Sequence, residues 1–339
     1  MKKIKVDNSI GMVVAHDLTQ VIPGEFKGAA FKKGHIIKKE DIDRLKDMGK
    51  NHIYVLELSE NEIHENEAAK RITKAIDSGG LYYGEPSEGK ISLKASYKGI
   101  VKVNVEGVNE INDIDKVILA TIHNNSLVDK GQTVAGTRII PLVTDNNRIN
   151  KVEEICKDKG EIIKVQEIKN LKVGILITGT EVFEGRIKDK FGPVLEEKID
   201  RYGGNLIGIE KAPDSLKEIE SGIKEFVEKG AEIILITGGM SVDADDVTPN
   251  AIKNVADEVV TYGAPVLPGA MLMLAYKGEA SILGVPACGM YHKTTVFDLI
   301  YPRLLAKEKI KRKDITILGH GGLCLNCKIC HYPRCSFGK

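Results

Sequence analysis

A chain of 339 residues, 42% hydrophobic and 29% charged, is long enough to bury ordinary cores in two or three domains. Its formal net charge of +1 sets up no overall field for nucleic acid or an anionic membrane. The opening MKKIKVDNSIGMVVAHD has three lysines but no apolar leader core, and no run approaches the ~18 apolar residues of a membrane span, so a cytoplasmic protein is expected.

Residues 1–58 alternate short apolar runs, Met12 to Ala15, Ile36-Ile37 and His52 to Leu56, with a helical segment Glu40 to Met48 that Gly49 stops. The stretch 59–77 reads as a polar helix. Its His64, Glu65 and Glu67 are of metal-ligating type, but no further ligand stands at a suitable spacing, so a solvated face is the expectation. In 81–168, Val101, Val103 and Val105 alternate with Lys102, Asn104 and Glu106, while Gly99, Gly107, Gly131 and Gly136 punctuate short runs. This predicts a β-rich, barrel-like module, with His123, Asn124 and Asn125 as turn residues and a further turn at Asn146-Asn147. The organisation that follows is 1–77 as a small α+β module, 78–168 as the β-rich module, 169–312 as an α/β domain and 313–339 as a cysteine-rich tail.

The α/β part carries the chemistry. In 172–204, KVGILITGTEVFEGRIKDKFGPVLEEKIDRYGG, an apolar run ends at Thr178-Gly179; Asp189 is placed to cap a helix on which Phe191, Val194, Leu195, Ile199 and Tyr202 recur before Gly203. A strand around Leu206 to Ile209 follows, then a helix opened by Ser215 with Glu218 three residues on, a capping box. The design repeats in 232–249, EIILITGGMSVDADDVTP, where a buried strand empties through Thr237 into Gly238-Gly239 and the carboxylates Asp243, Asp245 and Asp246. Thr248 is of N-cap type and Pro249 suits a first helical turn. A glycine pair lets backbone approach a ligand as closely as a phosphate requires, and crowded aspartates repel unless a cation or donors offset them. Strand–helix–strand units of this length give a right-handed parallel sheet with helices on both faces, so both Thr-Gly turns should open on one sheet edge.

At the other end, GHGGLCLNCKICHYPRCSFGK places Cys324, Cys327, Cys330 and Cys335 in a C-x2-C-x2-C-x4-C run, holding four of the six cysteines. Such a distribution is unlike a secreted disulfide framework. Thiolates two residues apart turn around soft metals. The run approaches ferredoxin spacing without its final interval, and a four-cysteine zinc site, with His320 or His331 as substitute ligands, is the alternative; disulfides or free thiols are the readings without metal. The tail is too short to bury a core of its own, so a metal staple is expected to order it.

Several of these segments, in order, resemble the molybdopterin-binding domain shared by molybdopterin molybdotransferases and molybdopterin adenylyltransferases. Thr178-Gly179-Thr180-Glu181 is similar to the Thr-Gly-Asp-Glu turn, with Thr180 in place of Asp. Asp189 to Leu195 resembles Asp-Thr-Ser-Gly-Pro-Leu-Leu; Thr237-Gly238-Gly239, Ser241 and Asp246 fit the Gly-Gly-Val-Ser turn and its closing Asp; and Asp246-Val247-Thr248-Pro249 matches the adenylyltransferase version. Pro265 to Met273, with Pro268-Gly269, is similar to a Pro-Gly substrate loop. Val285-Pro286-Ala287-Cys288-Gly289-Met290 stands where Leu-Pro-Gly-Asn-Pro is usual, and the Ser-Ala-Met-Asp-Gly-Tyr signature is missing. Cys288 is read either as a small buried hydrophobe or as a thiolate at the mouth of a helix starting near Tyr291.

The resemblance implies binding of molybdopterin or its metallated form, in assembly, insertion or modification of the molybdenum or tungsten cofactor. It implies Asp246 and Asp243, with Asp245 nearby, orienting Mg²⁺ or an oxyanion, Glu181 and Asp189 flanking the pterin, and Ser241 with the Gly238-Gly239 amides holding phosphate. A molybdotransferase-like enzyme, a carrier or sensor of finished cofactor that hands it to an apo-molybdoenzyme, and a nucleotide or pyrophosphate hydrolase are the functional alternatives. A homo-oligomer is expected, with the N-terminal modules serving dimerisation and closing the pocket.

Overall fold

The computed structural model describes residues 2–22, 25–56, 59, 61–87, 89–140, 142–241, 243 and 246–339. The chain divides into two compact units, one of residues 1–96, 102–122 and 130–165, the other of 97–101, 123–129 and 166–339. No helix among the described residues is long and apolar enough to cross a membrane.

In the first unit, strands Lys2–Lys5 and His52–Val55 pair antiparallel, as do Leu18–Ile22 and Phe26–Phe31, and Asp41–Asp47 forms the expected helix. Ile91–Ala95 and Val117–Thr121 flank Thr133–Ile139 in an antiparallel sheet. Two helices stand where strand alternation and a turn were predicted. Val105–Asn112 is capped by Asn104, which accepts from the Gly107 amide, and Asn146–Lys159 is capped by Asp145, which accepts from Asn147. The capping side chains override the extended reading of Val105 and the turn reading of Asn146-Asn147.

His64 and Glu65 also depart from a solvated face, being buried at 3% and 2% exposure. His64 Nε2–H donates to the Ala15 carbonyl, while Nδ1 accepts from Lys33 Nζ at 2.8 Å and from the Asn66 amide at 3.2 Å. Burial, then the Lys33 ammonium, hold this imidazole below its ordinary pKa, and burial does the same to His16. A proton on Nδ1 would face two donors. The unfolded chain takes up that proton near pH ~6.5 and the folded chain resists it, so stability present above ~6.5 is lost as the pH falls below that value. Denaturant midpoints measured on either side of it should show this loss, and His64→Gln should flatten it. An unchanged slope in the variant would remove His64 as the cause.

The second unit is built on a six-stranded sheet in the order Asn205–Ala212, Lys172–Thr178, Ile233–Thr237, Ala280–Val285, Met273–Lys277, Glu258–Tyr262. The first four strands pair parallel, and the last two are joined on by antiparallel pairings, so Met273–Lys277 alone runs against the rest. Side chains alternate between faces. Ile175, Ile177, Ile233 and Leu235 enter a core with helices Phe191–Tyr202 and Val296–Leu305, whereas Leu176, Ile234 and Ile236 enter one with Leu216–Glu228 and Thr248–Val255. Helices on both faces explain why these strands read as continuous apolar runs rather than alternating ones. Gly174 is required by packing, since a Cβ there would lie 2.4 Å from the Phe226 ring.

The tail is not stapled on from outside. Leu318 and Phe337, at 7% and 3% exposure, belong to the first of these cores, with Cys324, Tyr332 and Cys335 packed against it. The Leu267 amide donates to the Gly322 carbonyl and the Cys324 amide to the Leu267 carbonyl, both at 2.8 Å. The segment borrows the core of the sheet instead of building one.

Candidate functional site

Because Lys172–Thr178 and Ile233–Thr237 are neighbouring parallel strands with Ile177 opposite Thr237, their Thr-Gly turns emerge side by side at the carboxyl edge, where open α/β sheets bind ligands. The turns interlock closely. A Cβ on Gly238 would stand 2.0 Å from the Thr178 carbonyl oxygen, and one on Gly239 would stand 2.8 Å from Thr248 Oγ1. Thr248 is not the N-cap; Val247 is, and Thr248 Oγ1 lies instead 3.0 Å from Thr178 Oγ1. Thr237, fully buried, has no hydrogen-bond partner for its Oγ1 among the described residues. A buried hydroxyl without a partner costs free energy.

Asp214 belongs to this site although sequence reasoning misses it. Its Oδ2 accepts from the Thr180 amide at 2.8 Å and from Thr180 Oγ1 at 3.2 Å, and its own amide donates back to Thr180 Oγ1 at 3.1 Å. A Cβ on Gly239 would come within 3.6 Å of Asp214 Oδ1. A carboxylate thus stands beside the position where the resembled turn carries Asp, delivered by the next strand. The available signal is its place directly after the Asn205–Ala212 strand; the neighbouring Ser215 is the N-cap of Leu216–Glu228 but makes no side-chain cap bond, so the expected capping box does not form.

Of the remaining predicted residues, Asp246 is half-buried and Asp243 exposed, and the turn closes on itself: Asp243 N donates to Asp246 Oδ2 at 3.2 Å, and Asp246 N to the Asp243 carbonyl at 3.0 Å. Asp245 lies outside the described residues. Tyr262, also unforeseen, donates through its hydroxyl to the Met240 and Ser241 carbonyls at 2.9 and 3.2 Å. Its pKa is pushed up, first by burial and then by the Asp246 charge. Ser241 and Glu181 are exposed beside these turns, Glu181 in the one-turn helix Thr180–Phe183.

Asp189 is engaged in helix capping: Oδ1 accepts from the Phe191 amide at 2.7 Å and from the Gly192 amide at 3.2 Å, although Lys190 is the formal N-cap. Gly269 packs against Val296, whose amide donates to the Pro268 carbonyl at 3.2 Å. Pro286 is buried and ends the Ala280–Val285 strand. Cys288 sits in the short 3-10 turn Ala287–Met290, and burial pushes its thiol pKa up. The helix expected near Tyr291 begins at Val296, with Thr295 and Asp298 forming its capping box, so that helix does not start at Cys288, and the raised thiol pKa goes against the thiolate reading.

The four tail cysteines line one cavity of about 240 Å³. All six cysteines of the chain are free thiols. Among the described residues no three His, Cys, Asp or Glu side chains are gathered so as to hold a metal ion. Among the described residues, neither the tail thiols nor Asp243 and Asp246 are gathered with a third ligand on one ion, and Asp245 lies outside those residues.

A family model described as "Probable molybdopterin binding domain" matches residues 174–306, and one described as a domain of unknown function matches residues 3–57. A CinA-like protein of Mycobacterium leprae is 32% identical over 85 residues, 25% of this chain and 20% of that protein. A molybdopterin molybdenumtransferase of Synechococcus elongatus is 28% identical over 134 residues, 37% of this chain and 33% of that one. The chain thus spans about a fifth to a third of the length of these relatives. Among solved structures, the molybdopterin biosynthesis enzyme MoaB of Thermus thermophilus aligns with TM-score 0.36 and 20% identity over 41% of this chain and 98% of that one. The tungsten cofactor synthesizing protein MoaB of Pyrococcus furiosus aligns with TM-score 0.33 and 18% identity over 41% and 99%. Within this chain, residues 174–306 belong to the molybdopterin-binding domain family.

Proposed function

We propose that the second unit binds molybdopterin or its metal-loaded form at the carboxyl edge of its parallel strands, and that the chain acts in assembly, metal insertion or modification of the molybdenum or tungsten cofactor. The observation that carries this reading is the convergence of the two Thr-Gly turns with the partnerless buried Thr237 hydroxyl. The Gly238-Gly239 amides and Ser241 hold the phosphate, and the Thr237 hydroxyl supplies a further polar contact. Asp246 and Asp243 orient the ligand.

The geometry favours a carrier over a molybdotransferase. Thr180 replaces the acid of the resembled turn, and both its amide and its hydroxyl are committed to Asp214. With pterin and molybdate supplied in excess, a transferase would activate an apo-molybdoenzyme over many turnovers, whereas a carrier delivers preloaded cofactor once. Single delivery is the expected result, and robust multiple turnover would overturn it.

Asp246→Ala is expected to weaken binding of purified molybdopterin about ten- to a hundredfold, the loss of a hydrogen bond to a charged group, with little change in thermal midpoint because the residue lies in a half-exposed loop. Titration of both proteins decides it. Equal affinity would remove this loop from the site.

A further inference from the structure

We infer that Cys324, Cys327, Cys330 and Cys335 hold an iron–sulfur cluster in the cavity they line, beside the Pro268-Gly269 loop. This goes beyond the pterin reading and does not depend on it. Nothing in the resemblance to molybdopterin-binding domains calls for these cysteines, which lie outside residues 174–306.

The segment is shaped as a closed loop before any metal enters. Its ends are tied where the Gly338 amide donates to the Gly321 carbonyl at 2.9 Å. Phe337 anchors one end in the core under the sheet, and the two-bond ladder of Gly322 and Cys324 with Leu267 anchors the other. Between these anchors the backbone has no helix or regular strand, so thiols at two-residue intervals are free to turn about a common centre. Tyr332 and Phe337 are part of the cavity wall, and Tyr332 is fixed by its hydroxyl, which donates to the Asp298 carbonyl at 2.8 Å.

Among the described residues no three side chains are gathered closely enough to hold a lone metal ion. A cluster differs, because iron and sulfide occupy space between the thiolates; it needs a volume ringed by cysteines, and about 240 Å³ ringed by four is what the tail presents. The lining also suits an anionic thiolate cluster: Lys293 and Lys328 contribute to it, and no carboxylate does among the described residues. The Thr294 hydroxyl lies 3.2 Å from Cys330 Sγ, a contact of the kind that supports a metal-bound sulfur. Cys327 and Cys330 are exposed, so iron and sulfide reach the cavity without unfolding the sheet.

Loading would stiffen the segment between its anchors, and Cys324 connects it to the Pro268-Gly269 loop through the Leu267 ladder. The test uses the full chain, purified without oxygen and reconstituted with ferrous iron and sulfide. Iron and acid-labile sulfide should be retained in equal amounts, with broad visible absorbance, and amide exchange at Leu267 and Cys324 should slow. Cys327→Ser, at an exposed position, should retain less than a tenth of the iron and lose the exchange protection while its circular dichroism stays that of the parent chain. Cys335→Ser should do the same if it folds. Cys156→Ser should behave as the parent, since that thiol belongs to the other compact unit and burial pushes its pKa up to about 11. Retention of no iron, colourless binding of one zinc ion by the same four cysteines, or iron retained equally by Cys327→Ser would each overturn the assignment.

Discussion

Gly238→Ala is expected to be among the most damaging single-methyl substitutions in the second unit, costing about 2–5 kcal/mol and abolishing ligand binding at the strand edge. The backbone at 238 has φ +99°, a region that side chains with Cβ rarely enter, which alone costs about 1–2 kcal/mol. The new Cβ would also stand 2.0 Å from the Thr178 carbonyl oxygen, which is backbone of the adjacent strand and cannot rotate away. Relief requires the two Thr-Gly turns to part, and their apposition is what forms the site. Gly278→Ala is the control: φ is +55° there, but nothing lies within 4 Å, so only the conformational cost of about 1 kcal/mol should appear. Chemical denaturation of both variants, with molybdopterin titration of each, separates them. If Gly238→Ala unfolds no earlier than Gly278→Ala, or binds ligand as the parent does, the close approach of the turns is not what builds the site.

The part of this site that was legible in the sequence is the part that local chemistry dictates. KVGILIT and EIILIT read as buried strands because they are flanked by turn residues and followed by helical periodicity, and the parallel connection rule then placed Thr178 and Thr237 on one edge. What stayed hidden depends on partners distant in sequence. Asp214 is polar in a loop and looks solvated until the parallel pairing brings Thr180 to it, 34 residues away. Tyr262 sits on an antiparallel edge strand that no strand–helix rule foretells, and it reaches back to Met240. His64 and Glu65 read as a solvated face because composition alone does not reveal Ala15 and Lys33 waiting for the imidazole. The tail misled in the opposite sense: its length argues against a core, but Phe337 uses one supplied by the sheet.

Asp298→Ala is expected to cost about 3–5 kcal/mol, a fall of about 6–20 °C in the unfolding midpoint. Its side chain is fully buried and carries three partners: Oδ1 accepts from Lys198 Nζ and from the Tyr202 hydroxyl, each at 2.6 Å, and Oδ2 from the Thr295 amide at 2.7 Å. Lys198 is only 9% exposed along its side chain and has one other acceptor, the Lys293 carbonyl at 3.0 Å. Removing the carboxylate therefore strands a nearly buried ammonium, and desolvation of that unpaired charge, more than the lost attraction, sets the penalty. Burial, reinforced by the Asp298 charge, already pushes the Tyr202 phenol pKa up, so the tyrosine remains a donor and cannot itself compensate the cation. Lys198→Met should cost less, because Asp298 keeps the tyrosine hydroxyl and the helix amide. The double variant should be more stable than the sum of the single losses predicts, by about 1–3 kcal/mol, since neither charge is then left alone. The capping box of Val296–Leu305 also opens when Asp298 is lost, and the 293–295 segment beside the thiol cavity loosens with it. Thermal and denaturant unfolding of the two single variants and the pair complete the cycle. Additive losses, or an Asp298→Ala chain within 1 kcal/mol of the parent, would show that the pair contributes no more than exposed surface charges do.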